Sequence, residues 1–358
     1  MSRSSMHFRN STLVTLFWIV PALLGIVIAL LYPLLTKSSQ SVVVYTALDQ
    51  EFSRPVFEEF TRQTGIKVLA KYDTESTKTV GLTQALFAER ARPRCDLFWN
   101  NEIVNTLRLD QAGLLASYES PAAKNYPQQY RSSQGHWHGF AARARVLIVN
   151  TKLVPSTDEP DSILDLTDPK WQDNVGIAKP LAGTTATHAA CLFVVWGEAK
   201  TQAFFRAVKA NARVLSGNKQ VALAVARGEL AFGLTDTDDA IIELEKGFPV
   251  RIVYPDQGPE QGLGQLGTLF IPNTLALLEG SPNPEPAQQL VDFLLSSQVE
   301  RMLAAGPSAQ IPLNPKVEKS PRVESPSTVR AMTVDFEAAA AQWNAAARFL
   351  QQEFATAK

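Results

Sequence analysis

The fold is decided by the stretch VVVYTALDQEFSRPVFEEFTRQTGIKVLA, residues 42–70. Its apolar run at residues 42–45 predicts a short buried strand. Apolar residues spaced three and four apart after Pro55 predict an amphipathic helix, with a loop before it. Because glycine commonly caps helix C-termini, the helix is expected to end at Gly65, and residues 66–70 form the next strand.

The same alternation continues along the chain. Residues 79–89 have helical periodicity, and residues 96–99 predict a third strand. Strand, helix, strand, helix, strand is typical of an α/β fold whose parallel sheet has crossover helices. Further strands are predicted at residues 144–149, 175–178, 230–234, 251–254 and 268–272, and further helices after residue 185 and at residues 201–210, 219–227, 286–295 and 298–304.

Length and composition indicate a globular protein of two domains. The chain has 358 residues, is 45% hydrophobic and 19% charged, and balances 34 Lys and Arg against 35 Asp and Glu. A formal charge of -1 excludes the basic field that nucleic-acid binding requires. Cys95 and Cys191 both lie in apolar segments, which predicts free buried thiols.

The N-terminal segment, residues 1–41, predicts a membrane anchor. Residues 13–35 are uncharged and mostly apolar, and 23 residues suffice to cross a bilayer as a helix. No Ala-x-Ala-like site follows, which favours an uncleaved anchor over a removed signal peptide. Positive charge before the span favours an N-terminus inside the cell and the remaining chain outside it.

The C-terminal segment predicts a linker and a docking helix. Residues 316–327 are rich in Pro, Ser and charge, as linkers are. Residues 328–356 predict a final helix with an apolar stripe at steps of three and four, which is expected to pack on the body of the protein.

Polar residues follow four of the predicted strands. In open α/β sheets, ligands bind beyond the carboxyl ends of the strands, and clefts between domains are preferred sites. We therefore expect one ligand cleft, with these candidates: Thr46, Asp49, Asn100, Asn101, Gly183, Thr184, Thr185, Asp236, Asp238 and Asp239.

Gly183-Thr184-Thr185 predicts an anion site. A glycine-led turn into a helix presents unpaired N–H groups, and the helix dipole favours an anion there. Arg143 and Arg145 alternate along a predicted strand, so both point to one face and could clamp a phosphate or carboxylate. For the glycine-led turn, the alternative is a plain helix N-cap. For the arginines, the alternative is an ion pair with a surface carboxylate.

The aspartates at residues 236, 238 and 239 predict a site of the opposite sign. Three carboxylates so close together need a cation, an ammonium group or solvent. As oxygen ligands they suit hard metal ions, with Asp238 and Asp239 as the candidate ligands. A solvated helix start with aspartate at its N-cap is the alternative.

Catalytic motifs are missing from the sequence. There is no Gly-x-Ser-x-Gly elbow and no His-Glu-x-x-His helix. The leading hypothesis is accordingly a binding protein without catalysis. A metal-dependent phosphoesterase that uses the cluster at residues 236–239 is the enzymatic alternative.

Several motifs together resemble the periplasmic ferric-ion-binding proteins of ABC importers, within the extracellular solute-binding proteins. The resemblance covers about residues 42–315. It is carried by Val43-Val-Tyr-Thr-Ala-Leu-Asp49, residues 57–68, Cys95-Asp-Leu-Phe-Trp99, residues 142–151, Asp168-Pro-Lys-Trp171, Gly183-Thr-Thr185, Val225-Ala-Arg-Gly-Glu-Leu230 and Ile311-Pro-Leu-Asn-Pro315.

The resemblance implies a two-lobed periplasmic-binding-protein fold of type II, with two crossovers between the lobes. Residues 42–143 and 268–315 would form lobe 1, residues 144–267 lobe 2, and residues 316–358 the linker and C-terminal helix. A small ligand would be trapped between the lobes by hinge closure, and ABC permease and ATPase subunits would be the partners. The protein would work as a monomer on the periplasmic or extracellular face of the cytoplasmic membrane.

The resemblance also assigns site positions. The family's anion-binding turn falls on residues 182–184, and its iron-coordinating positions fall on Asp49, Asn101, Asp238 and Asp239. The histidine, glutamate and tyrosine pair typical of the iron binders do not occur at those positions. A metal ion held by carboxylates together with an anion, and a zwitterionic phosphonate or organophosphate, are the ligands left open.

Overall fold

A computed structural model describes residues 40–73, 79–258, 265–317 and 322–355 of the chain. The predicted anchor at residues 13–35 lies outside these ranges. Among the helices within them, none is long and apolar enough to cross a membrane.

The opening segment forms the predicted alternation. Strand β1 (Ser41–Thr46) pairs in parallel with β2 (Lys67–Tyr72) and with β3 (Leu97–Asn100). Helices α1 (Gln50–Thr64) and α2 (Val80–Ala88) make the two crossovers. The side chains of Val42 and Val44 in β1 are fully buried in one hydrophobic cluster with residues of α1.

Helix α1 begins at Gln50, earlier than the sequence predicted. Pro55 lies inside the helix rather than near its start, and so one backbone hydrogen bond is missing. The buried stripe starts at Phe52 and continues through Val56 to Phe60, one turn apart at each step. Burial of the Phe52 ring stabilises the extra turn.

Two long strands lie at the centre of the sheet. The predicted strands at 144–149 and 268–272 are parts of β5 (His138–Asn150) and β10 (Phe270–Leu278), which are antiparallel to each other. Every residue of both strands is buried, the polar ones included, so their burial does not follow the polar and apolar pattern of the sequence. That is why the sequence pattern marked only their most apolar parts.

The remaining elements complete an α/β architecture, and four of them, at Val104–Gln111, Leu115–Ala116, Arg213–Leu215 and Thr237–Glu245, were not predicted from the sequence. Five more strands are short, and the helices between them pack on the sheet. Their bounds are α3 (Val104–Gln111), β4 (Leu115–Ala116), β6 (Val175–Ala178), α4 (Gly183–Val195), α5 (Glu198–Asn211), β7 (Arg213–Leu215), α6 (Asn218–Ala226), β8 (Phe232–Asp236), α7 (Thr237–Glu245), β9 (Val250–Val253), α8 (Pro284–Leu294) and α9 (Ser297–Ala305), with short 3-10 turns at Pro121–Asn125, Gln128–Tyr130, Ser156–Asp158, Ile163–Thr167 and Pro169–Trp171.

The sheet has the strand order β2-β1-β3-β10-β5-β8-β6-β7, with β4 beside β10 and β9 beside β5. The first part of β5 pairs with β10, and the part from Arg145 onward pairs with β8 and β9. The chain therefore passes from one group of strands to the other within a single continuous strand.

The C-terminal helix α10 (Phe336–Phe354) packs on the body, as predicted, but begins later than residue 328. Its Phe349 lies 6.2 Å from the ring of Phe193 in α4, and its Phe354 lies 6.2 Å from Phe205 in α5. Trp343 lies under the guanidinium of Arg108 in α3, at 4.9 Å. The helix thus contacts α3, which precedes β5 in the chain, and α4 and α5, which follow it.

Candidate functional site

A cavity of about 290 Å³ lies where loops after several strands meet the first turns of α4, α6 and α7. The carboxyl ends of β6 and β8 point toward it, as expected for ligand sites of α/β sheets. Its wall contains most of the residues predicted from the sequence: Asp49, Asn101, Arg143, Gly183, Thr184, Thr185, Asp236, Asp238 and Asp239.

The side chain of Asp236 is the centre of a buried network in this wall. Arg145 Nη1 donates to Asp236 Oδ1 at 2.7 Å, and the Arg145 side chain is completely buried. Thr184 Oγ1 donates to Asp236 Oδ2 at 2.5 Å, and Asn218 Nδ2 donates to the same oxygen at 2.9 Å. Asp236 thus accepts three hydrogen bonds from three different elements, β5, α4 and α6.

Asp236 occupies the N-cap position of α7, yet its side chain makes no capping bond there. It is 3% exposed and turns toward the start of α4 instead. Of the two alternatives for this cluster, a solvated helix start is therefore wrong for Asp236. Asp238 and Asp239 follow in the first turn of α7, where the helix dipole stabilises carboxylates.

Arg143 carries positive charge into the same wall. Its Nη2 lies 3.4 Å from Asp238 Oδ2, and both side chains are almost fully buried. Burial lowers the pKa of Arg143, but the carboxylates of Asp238, Asp236, Asp239 and Asp49 outweigh it and raise the pKa. The alternative of a surface ion pair is therefore wrong for this arginine.

The three aspartates at the start of α7 could hold a metal ion. One carboxylate oxygen from each of Asp236, Asp238 and Asp239 lies within 4.8 Å of the others. In the described part of the chain, this is the one group of three or more His, Cys, Asp or Glu side chains whose ligand atoms lie this close together. Oxygen ligands of this kind match hard cations.

The start of α4 has the geometry predicted for the glycine-led turn. Gly183 has φ of +60°, and a Cβ there would meet nothing within 4 Å. The two threonine hydroxyls that follow are engaged within the protein: Thr184 with Asp236, and Thr185 with Asn218 Oδ1 at 3.2 Å. Arg145 Nη2 also donates to Thr185 Oγ1, at 3.3 Å.

Two predicted site residues do not line the cavity. Thr46 Oγ1 accepts from the backbone N–H of Leu48 at 3.2 Å, which tightens the loop after β1. Asn100 lies inside β3, and its Nδ2 donates to Glu102 Oε1 at 2.8 Å. Asn101, the next residue, does line the cavity, and its Oδ1 has no hydrogen-bond partner among the described residues.

Sequence reasoning missed Asn218 and Lys179. Asn218 follows Ser216-Gly217 at the end of β7, a strand of three residues that is too short to show a hydrophobic pattern. The turn-forming cluster at 216–218 was the available signal. Lys179 extends from the end of β6, and its Nζ donates to Ala355 O at 3.0 Å, beyond the last turn of α10.

Both cysteines are free and buried, as predicted, and neither lines the cavity. Burial raises the pKa of Cys191, which keeps its thiol protonated. The described cysteines therefore contribute to packing.

The chain matches a known family of binding proteins. A family model described as "Bacterial extracellular solute-binding protein" matches residues 106–339. The chain belongs to this family. Its members bind solutes without chemical turnover, and so the prediction of a binding protein rather than an enzyme is confirmed.

Curated relatives of the chain carry iron-related names. The chain is 29% identical over 198 residues to the "Fe(3+)-binding periplasmic protein" of Serratia marcescens, an alignment that covers 55% of this chain and 57% of that protein. It is 26% identical over 295 residues to the "Major ferric iron-binding protein" of Neisseria meningitidis, with 79% and 83% of the two chains covered.

The fold matches solved structures of the same kind. Iron-bound HitA from Pseudomonas aeruginosa superposes with a TM-score of 0.78 over 87% of this chain and 99% of that chain, at 24% identity. This likeness confirms the periplasmic-binding-protein fold with its mixed α/β layers and C-terminal helix.

Proposed function

We propose that the protein is the solute-binding component of an ABC importer and that it captures a hard metal cation, with ferric ion as the leading ligand. The observation that carries this is the approach of three carboxylates, from Asp236, Asp238 and Asp239, to within 4.8 Å in the wall of the cavity. The ferric ligands named for the relatives from Serratia and Neisseria support the choice of metal.

We propose a role for each of several residues in the cavity wall. Asp238 and Asp239 are the proposed metal ligands, since both lie on the first turn of α7 and face the cavity. Asp49 and Asn101 come from the loops after β1 and β3 and approach from another side. A bound cation would give the buried Asn101 Oδ1 the partner it lacks among the described residues.

Capture would proceed by closure of two lobes, formed by residues 42–143 with 268–315 and by residues 144–267. The pairing of β5 supports this division, because its partners change from β10 to β8 and β9 between Ala144 and Arg145. A monomer tethered through residues 13–35 would present the loaded cavity to the permease and its ATPase at the outer face of the membrane.

Metal analysis of the full-length protein tests the proposal. We expect metal-depleted protein to retain close to one ferric ion after incubation with ferric chloride and desalting, measured by mass spectrometry of the eluted metal. Bound cation should also raise the unfolding temperature, following mass action. Asp238→Asn and Asp239→Asn should each lower the affinity by about tenfold or more, because each removes a charged ligand.

Asp158→Asn is the matched control, since it makes the same change on an exposed turn. Failure of the wild-type protein to retain ferric ion, or full retention by both cavity variants, would count against the proposal.

A second candidate ligand is a zwitterionic phosphonate or organophosphate. It is favoured by the mixture of cationic and anionic side chains in one wall, with Arg143 and Lys179 beside the aspartates. Stabilisation of metal-depleted protein by 2-aminoethylphosphonate, without any response to ferric ion, would decide for this candidate.

A further inference from the structure

Side-chain donors at and around the start of α4 are bonded to a carboxylate of the protein itself. Asp236 Oδ2 accepts from Thr184 Oγ1 at 2.5 Å and from Asn218 Nδ2 at 2.9 Å. Thr184 is the second residue of α4, and so the Asp236 carboxylate lies at the positive end of that helix. Arg145 completes the arrangement with a 2.7 Å bond to Oδ1.

Such a carboxylate is held firmly. Arg145, Thr184 and Asp236 itself are nearly excluded from solvent, and Asn218 is half-buried. Hydrogen bonds to a charged acceptor in such surroundings are short and strong. Removal of Asp236 from this position would leave Arg145 as an uncompensated buried charge, which is costly.

A free anion would meet competition for each side-chain donor predicted to hold it. The hydroxyls of Thr184 and Thr185 are bonded to Asp236 and Asn218, and Arg143 lies against Asp238. The net charge of the cavity wall also disfavours a free anion. Four aspartates, at positions 49, 236, 238 and 239, face or underlie the cavity with Arg143, Arg145 and Lys179, which leaves one net negative charge.

We infer that Asp236 takes the place of a free anion, so that the cavity captures its metal cation without phosphate, carbonate or another small anion from solution. Asp236 thereby determines the class of ligand, a bare cation rather than a cation–anion pair. This inference rests on the proposed function, because it concerns how the same cavity holds its metal.

The test measures ferric-ion binding by full-length protein in a buffer free of phosphate, carbonate and citrate, with and without added inorganic phosphate. Wild-type protein should retain ferric ion equally in both conditions. Asp236→Asn should lose about tenfold or more in affinity without phosphate, because it removes a fixed charge next to the metal ligands, and should recover when phosphate is added. Asp158→Asn, on its exposed turn, should behave as wild type.

The outcomes separate this inference from the proposed function. Wild-type protein that retains ferric ion only with phosphate would overturn the inference and leave the proposed function standing. Wild-type protein that retains no ferric ion in either condition would overturn the proposed function. Unchanged ferric-ion affinity of Asp236→Asn, with no response to phosphate, would also overturn the inference.

A second measurement needs no variant, in case Asp236→Asn does not fold. Titration of metal-depleted wild-type protein with inorganic phosphate in a calorimeter should give no saturable heat. Saturable binding that protects the protein from thermal unfolding would show that the start of α4 accepts a free anion, and would contradict the inference.

Discussion

Asp256, in the connection between β9 and β10, makes the stability of the protein depend on pH. It is 1% exposed, and its Oδ1 accepts a hydrogen bond of 2.6 Å from Ser162 Oγ. Burial raises the pKa of Asp256 from 3.8 to about 7, against the lowering effect of hydrogen bonds from Ser162 and from the backbone of Ile163. The charges of Asp161 and Asp165 raise it further.

The sign of the effect follows from proton binding. In the unfolded chain, Asp256 loses its proton near pH 3.8, whereas the folded protein keeps the proton until about pH 7. Between these values the folded state binds more protons than the unfolded state, so the free energy of unfolding falls as pH rises. A difference of about 3 pKa units at 1.36 kcal/mol each gives a loss of at most about 4 kcal/mol.

Asp256→Asn tests this directly, because the amide keeps an acceptor for Ser162 and cannot ionise. Urea unfolding of the variant and of wild type should give equal stability near about pH 4. The variant should become progressively more stable than wild type toward about pH 8, by at most about 4 kcal/mol. The comparison cancels the titration of groups that both proteins share.

Asp158→Asn is again the control, since Asp158 is exposed, and its curve should run parallel to that of wild type. A stability difference between Asp256→Asn and wild type that stays constant with pH would refute the reasoning. So would a variant that is less stable than wild type at alkaline pH, since that would mean the folded state favours the charged form.

Two further predictions concern contacts between elements that are distant in sequence. Trp343→Ala should lower the free energy of unfolding by about 3 kcal/mol, because a large buried ring against Arg108 is removed. In urea unfolding, Trp343→Phe should retain part of the stability that the alanine variant loses. A loss under about 0.5 kcal/mol for the alanine variant would contradict the buried packing of this ring. Thr187→Val should cost about 1–3 kcal/mol, because the buried Glu102 carboxylate loses a donor at 2.6 Å. Thr157→Val on an exposed turn is its control, and equal stability of the two variants would show that the Glu102 bond contributes nothing.

The sequence predicted the fold well where periodicity and strand order agree. The alternation across residues 42–99 gave the parallel strands, and the apolar stripe of the last helix gave its docking face. The errors were in element ends, at α1, β5, β10 and α10, and in the elements α3, β4, β7 and α7, which were not predicted. At β5 and β10, polar residues are buried along with apolar ones, so the sequence pattern identified only the most apolar residues.

Some residues of the cavity wall were predicted from their positions at strand ends, and others were missed. Polar residues at strand ends converge wherever the strands are parallel, and this rule brought Asp49, Asn101 and Asp236 together. It could not identify Asn218, because β7 is three residues long, half exposed and without a clear pattern. It also included Asn100, which belongs to the buried strand β3 rather than to the loop after it.

Whether a helix start binds a free anion cannot be decided by local sequence. Gly183-Thr184-Thr185 specifies a turn with available donors, and the structure contains that turn. Asp236, which accepts from the Thr184 hydroxyl, lies 52 residues away from Thr184 and is brought to it only by the tertiary fold. A carboxylate so placed cannot also leave room for a second anion without a large electrostatic cost. The residue at position 236, rather than the glycine turn, therefore decides which class of ligand the cavity accepts.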